Sequence, residues 1–330
     1  MAEQLQTPDR TILIASSSLD RVTWEPIAAD LAGRGYDVIT YEADKVAQGT
    51  VPFDVSVNNS DGLQVRYDGR ELSPRDIAAG WYRRSNLMSN ILQGKSGQIG
   101  LDSERKVIQA TVWDAVPEHA WLNSPERMRR VDNKLTQLAL AREVGFAIPD
   151  TVATNRWETV TQSLPENIIF KTQYPFIMFC ETDDLKMVYT TPLHNPDQLP
   201  TAGNPFPGLW QPQVPKSREW RITAVGDDTF DAAIYTSDGA KDDWRKHQSD
   251  QSMVEFRSEP FPDDEKEKCM QFLGRAGLRF GAFDFIEQPD GNITFLECNT
   301  NGQFGWLEAK LGLPISPAIA SELAAIAKAA

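Results

Sequence analysis

The chain has 330 residues, with 33 Lys and Arg against 47 Asp and Glu, and a formal net charge of -14. That length suits two or three domains, and the acidic balance excludes a nucleic-acid backbone as the main partner, since such binding needs a basic surface. The three cysteines, Cys180, Cys269 and Cys298, lack metal-type spacing, and their odd number argues against a disulfide framework. No apolar run approaches the roughly 20 residues of a membrane helix. The opening MAEQLQTPDR lacks the basic and apolar blocks of a signal peptide. A cytoplasmic protein with no membrane partner is therefore expected.

In chain order, Thr11–Ser16 reads as a buried strand, Trp24–Gly33 as an amphipathic helix and Asp37–Tyr41 as a second strand, the opening of a parallel α/β unit. Phe53–Asn58 and Leu63–Tyr67 flank the turn signal Ser60-Asp61-Gly62 and predict a hairpin. Gly80–Arg84 predicts another strand and Asp102–Val116 a helix. Ser124 as N-cap and Pro125 at the first helical position start a helix expected to run through Lys134 to Glu143, where Gly145 stops it. A short strand near Thr151 and a helix near Trp157 follow. The β segments Asn167–Gln173, Phe176–Cys180 and Lys186–Thr190 come next. Thr191–Gly208 carries Pro192, Pro196, Pro200, Pro205 and Pro207 and predicts an irregular connection. Arg218–Val225 and Thr229–Thr236 predict a second hairpin. Pro262–Ala276 is a predicted helix, Arg279–Glu287 and Asn292–Asn299 a third hairpin, and Ser316–Lys328 a terminal helix.

That third hairpin carries the most chemistry. A two-residue turn at Asp290-Gly291 would pair Asp284 with Glu297 and place Asn299 two residues along on the same face. Side chains so paired lie ~5 Å apart at Cβ, where two carboxylates repel unless a cation lies between them. Phe283, Phe285 and Leu296 flank them, so water screens poorly, and a hard-oxygen set with few protein ligands suits Mg²⁺ completed by phosphates. As an alternative, the acids are incidental on a solvent-facing hairpin.

Two lysines are candidates for phosphate contacts. Lys134 taken alone is an ordinary helical lysine. Lys171 sits in the apolar run NIIFKTQ, where burial demands an anion such as phosphate or Glu181. The proline-punctuated segment Gln211–Pro215 would present unpaired backbone groups at Gln213 and Val214 to an adenine edge. Glu219 could accept from ribose hydroxyls or simply pair with Arg221 on the same strand face. Gly94-Lys95-Ser96 lacks the first glycine of a P-loop, since position 89 is Ser89. His119, His194 and His247 have no metal-like or triad-like spacing.

This ordered set resembles the ATP-grasp superfamily of ligases. The resemblance implies an α/β (α+β) ATP-grasp fold with an N-terminal α/β pre-ATP-grasp domain (1–120), a central lid domain (121–209) and a C-terminal antiparallel-sheet domain with the metal site (210–330). It implies that Lys134 and Lys171 contact ATP phosphates, Gln211, Gln213 and Val214 line the adenine hinge, and Glu219 holds the ribose. Asp284, Glu297 and Asn299 would bind Mg²⁺. Trp81-Tyr82-Arg83-Arg84 and the run Glu297–Trp306 are similar, more narrowly, to the graspetide macrocyclases, the microviridin-type ligases that close ω-ester or ω-amide rings. Thr300 replaces the usual proline of that second motif, and Cys298 an aliphatic residue.

The narrower likeness implies a ribosomal precursor peptide as partner, with a leader and an acidic, Thr-rich core, and it is compatible with a homodimer. Arg221, Arg245 and Asn301 form the expected catalytic set, with Arg83 and Arg84 as further candidates for the acidic substrate or the departing phosphate. Trp244-Arg245 would lie on a loop able to close over the acyl phosphate. A ligase acting on small carboxylates or protein termini, and a nucleotide-binding protein without catalysis, are the competing expectations.

Overall fold

The computed structural model describes residues 10–84, 98–164, 167–173, 176–179, 185–188, 191–193, 208–237 and 252–330. Thr11–Ser16 is the centre of a parallel three-stranded sheet, between Asp37–Glu42 and Ile77–Tyr82. Its apolar run is buried on both faces, as parallel strands require. The expected hairpin forms from Phe53–Asn58 and Gly62–Tyr67, and the short strand Arg70–Leu72 extends it to three strands. The strand predicted at Gly80–Arg84 starts and ends earlier, at Ile77–Tyr82. Helix Gln98–Ala115 is longer at its start than expected.

The helix expected from Pro125 to Glu143 is in fact two. Ser124 caps Pro125–Val131, and Asn133 caps Lys134–Glu143 by accepting from the Leu135 and Thr136 N–H groups at 3.0 and 3.1 Å. An asparagine that satisfies two free N–H groups starts a new helix more readily than it continues an old one. Lys134 is therefore the first residue of a helix rather than an interior one.

A four-stranded antiparallel sheet runs Thr191–Leu193, Ile168–Lys171, Gly208–Pro212, Val152–Thr154. Thr191–Leu193 is thus a strand where an irregular connection was expected. Phe176–Phe179 and Leu185–Val188 form a separate hairpin.

The largest sheet has five antiparallel strands, in the order Val254–Arg257, Asp228–Thr236, Arg218–Val225, Phe280–Glu287, Ile293–Asn299. Alternation gives it two chemically distinct faces. One face carries Trp220, Ile222, Phe283, Phe285, Phe295 and Cys298, and it packs on Phe146, Phe261 and helix Asp263–Ala276 through Cys269, Phe272 and Leu273. The rings of Phe146 and Phe295 stack at 5.3 Å. The other face carries Glu219, Arg221 and Thr223. Helix Ile315–Ala329 covers its far end, joining Val225, Phe280 and Phe304 to Ile12, Ile14 and Trp24 in one core. Val254–Arg257 and the short helices Ala43–Ala47 and Gly305–Leu311 were not expected from the sequence. Among the described residues, no helix is long and apolar enough to cross a membrane.

Gly302 marks the closest approach between the end of the hairpin and its neighbour. A Cβ there would lie 2.3 Å from the Ala282 Cβ. Gly302→Ala should destabilise the chain by about 1–3 kcal/mol, as overpacking does. Denaturant midpoints of the two proteins measure it.

Candidate active site

The candidate site is built on the polar face of the five-stranded sheet. The loop after Phe280–Glu287 is three residues long, not two. The Gln288 N–H donates to the Asn292 carbonyl at 2.8 Å, and Gly291 takes φ 86° in the left-handed region that closes such loops. By itself this slips the ladder by one residue, and Phe285 pairs with Phe295. A bulge then leaves Leu296 without a partner and restores the expected register, so Asp284 faces Glu297 and Ala282 faces Asn299. The two carboxylates meet through two irregularities that cancel.

Asp284 also pairs with Arg221 on its other side. Arg221, Asp284 and Glu297 thus form one row across three adjacent strands. Arg221 Nε lies 3.2 Å from Asp284 Oδ1, and Lys134 Nζ lies 3.2 Å from Glu297 Oε2. Each acid therefore faces one cation. Arg221 is buried, and its Nε and Nη1 have no hydrogen-bond acceptor. Nε keeps Asp284 as its ion-pair partner, and a buried Nη1 donor left open is fitted to an anion's oxygen. Asn299 is exposed two residues along, and its Oδ1 accepts from the Asn301 N–H at 3.0 Å, which shapes the following turn.

The structure separates Glu219 from Arg221. Lys216, three residues upstream, donates to Glu219 Oε1 at 2.5 Å, so the pairing of Glu219 with Arg221 does not occur. Gln211 is buried and donates from Nε2 to the Thr151 hydroxyl at 2.9 Å, leaving Oε1 unpartnered. The backbone N–H groups of Gln213 and Val214 differ. The Gln213 N–H donates to the Asn167 carbonyl at 2.7 Å, whereas among the described residues the Val214 N–H has no hydrogen-bond partner. Lys171 is half-buried opposite Leu209. Gln173, two residues on, accepts from the Lys134 N–H at 3.1 Å and so ties this segment to the start of the lysine helix.

Arg83 differs from expectation. It is not exposed at the end of its strand, and its Nη2 has no hydrogen-bond partner among the described residues. It is fully buried, donating from Nε to Asp20 at 2.8 Å and from Nη1 to the carbonyls of Asn301 and Gly302 at 2.8 and 2.7 Å. Burial pulls its pKa down and Asp20 opposes that shift. Arg84 takes φ 50° at the strand end. Arg245, Glu181, Cys180, His194, His247 and the Gly94-Lys95-Ser96 run lie outside the described residues, and His119 is exposed.

The sequence reading missed several contributors. Lys216 could have been found from its spacing to Glu219. Asn123, Asp132 and Gln137 gave no local signal. Asn123 is buried and fully used, donating to the Phe280 and Thr300 carbonyls and accepting from the Arg279 and Phe280 N–H groups. Burial pushes the Asp132 carboxyl above its ordinary range, the Thr300 hydroxyl donating at 2.7 Å opposes that, and nearby Glu297 adds to the rise.

Among the described residues no group of three or more His, Cys, Asp or Glu side chains is placed to hold a metal ion. Asp284, Glu297 and Asn299 could supply a divalent cation with two carboxylates and an amide, phosphate or water oxygens completing the shell. That fits Mg²⁺, which keeps several non-protein ligands.

No family model and no curated protein matches the sequence. Solved structures do match. An ATP-grasp ligase of Chryseobacterium gregarium, RiPP-associated and solved with ADP and a leader and core peptide, is 26% identical with TM-score 0.79, covering 96% of both chains. The macrocyclase MdnB of Microcystis aeruginosa is 26% identical with TM-score 0.76, covering 95% of this chain and 99% of its own. The chain has the ATP-grasp fold. MdnC of the same organism, solved with the precursor peptide MdnA, has TM-score 0.79 at 24% identity over 95% of this chain and 99% of its own. The ATP-grasp likeness thus runs nearly the full length of this chain and of each of the three.

Arg83→Ala should act on stability. It leaves Asp20 buried without its partner, which costs about 3–5 kcal/mol. Thermal melting should show the loss, and an unchanged melting temperature would contradict the structural role.

Proposed function

We propose that the chain is an ATP-dependent carboxylate ligase acting on a ribosomal precursor peptide. It activates Asp or Glu side chains of the core and closes intramolecular esters with Thr or Ser, or amides with Lys. The observation that carries this reading is the Arg221–Asp284–Glu297 row with Lys134 at its end. The leader and core peptide bound to the Chryseobacterium gregarium ligase supports the choice of substrate class.

A carboxylate is a poor electrophile, and a phosphoryl group on one oxygen gives it a good leaving group. Asp284, Glu297 and Asn299 would hold Mg²⁺, which when bound offsets charge on the transferring phosphoryl group. Lys134 and Lys171 serve the ATP phosphates. Arg221, with its Nε against Asp284 and its Nη1 open, holds phosphoryl or acyl-phosphate oxygens at the end of the row. Gln211 and the Val214 N–H face the adenine, with Gln213 contributing its carbonyl because its N–H is taken. Glu219, fixed through one oxygen by Lys216, keeps the other for a ribose hydroxyl. Asn301 and, from outside the described residues, Arg245 complete the catalytic set. Attack by a substrate hydroxyl or amine on the acyl carbon then releases phosphate and a proton.

Incubating the enzyme with ATP, Mg²⁺ and a precursor peptide tests the reading by mass spectrometry. Loss of one water per ring is expected; a mass gain equal to an added amino acid would contradict it. Glu297→Gln should retain its fold by circular dichroism and lose Mg²⁺-dependent turnover at least about 100-fold, the scale of lost transition-state charge stabilisation. A near-normal rate would remove Glu297 from the cation site. Lys171→Ala should weaken ATP binding in calorimetry, and unchanged affinity would make Lys171 structural.

A further inference from the structure

Strand Ile293–Asn299 is the edge of its sheet, so its outward backbone groups need partners from elsewhere. The Phe295 N–H donates to the Ala147 carbonyl at 2.9 Å. At Cys298 the partner is a side chain. Gln137 is buried and accepts from the Cys298 N–H through Oε1 at 2.8 Å while donating from Nε2 to the Cys298 carbonyl at 2.8 Å. One amide group thus takes the place of a neighbouring strand. Cys298 lies between Glu297 and Asn299, whose side chains point to the opposite side from its own.

The same helix supplies Lys134, three residues before Gln137 and on the same helical face. Lys134 meets the Glu297 carboxylate, and Gln137 meets the backbone one residue later. Upstream of the helix, Asp132 accepts from the Thr300 hydroxyl and Asn123 donates to the Thr300 carbonyl. Positions 298 and 300 are therefore held by contacts from this side, while 297 and 299 lie on the polar face of the sheet.

We infer that Gln137 is a positioning residue for the cation site: its paired hydrogen bonds to Cys298 fix where Glu297 and Asn299 present their oxygens. The inference rests on the ligase reading above. The Gln137 amide nitrogen and oxygen are both engaged with Cys298, so it acts through the backbone it holds. Outer-shell hydrogen bonds of this kind govern metal affinity because a ligand held loosely loses its geometry.

The test measures Mn²⁺ binding to the full-length chain in the presence of ADP, by electron paramagnetic resonance of free Mn²⁺. Gln137→Leu should weaken Mn²⁺ binding about 10- to 100-fold. Gln137→Glu should fall between, because an ionised carboxylate accepts from the Cys298 N–H but donates nothing to its carbonyl. ADP binding without metal should be unchanged in both. Leu138→Ala, a core truncation on the same helix, should lower the melting temperature and leave Mn²⁺ affinity at the wild-type value. Wild-type Mn²⁺ affinity in a folded Gln137→Leu overturns the inference; should that variant not fold, wild-type affinity in Gln137→Glu overturns it equally. A wild-type chain that binds ADP but no Mn²⁺ overturns the ligase reading and this inference together.

Discussion

Two carboxylates facing each other across adjacent strands are the constraint around which this molecule is organised. At ~5 Å and an effective dielectric of about 20, their repulsion amounts to roughly 3 kcal/mol. A sheet that keeps such a pair without a compensating charge gives up stability comparable to a core mutation. Here Arg221 flanks Asp284 and Lys134 flanks Glu297, so the row alternates in sign only at its ends and its centre stays doubly negative. A divalent cation answers that centre, and an anion answers the outward cations. Polyphosphate with magnesium supplies both.

The rest of the fold holds that row still. Beneath it lies an aromatic layer, Trp220, Phe283, Phe285 and Phe295, packed against Phe146, Phe261 and Phe272. Around its rim, buried polar side chains do what strands would do elsewhere. Gln137 pairs with the Cys298 backbone, Asn123 with Phe280 and Thr300, and Arg83 with the carbonyls of Asn301 and Gly302. Gln137 and Asn123 use both their amide oxygen and nitrogen, the condition under which buried polar groups rigidify a structure, whereas Arg83 keeps Nη2 without a partner among the described residues. These contacts also bring residues from the first strands, the paired helices and the last hairpin to one turn.

Much of the architecture was legible because it is periodic. The strands Thr11–Ser16, Phe53–Asn58 and Arg218–Val225 have the bounds their patterns predict. The pairing of Asp284 with Glu297 was legible only by compensation. The sequence predicts a turn one residue too short, and the bulge at Leu296, which no pattern announces, restores the register. The single helix expected from Pro125 to Glu143 passes over Asn133, whose capping chemistry favours a break. The burial of Arg83 was invisible for a different reason. Its partner Asp20 and the carbonyls it serves are far away in sequence, and only tertiary packing brings them together. Gln137 stayed hidden likewise, since a glutamine three residues after a lysine is unremarkable until a strand edge lies beside it.

The central claim is that the Asp284–Glu297 pair needs a divalent cation in order to accept a triphosphate. Calorimetric titration of ATP into the wild-type chain, with excess Mg²⁺ and again with a chelator, tests it most directly. The account predicts tight binding with Mg²⁺ and an affinity at least about tenfold lower without it, because the bare triphosphate then meets the facing carboxylates with no divalent cation between them. Equal affinity under both conditions would contradict it.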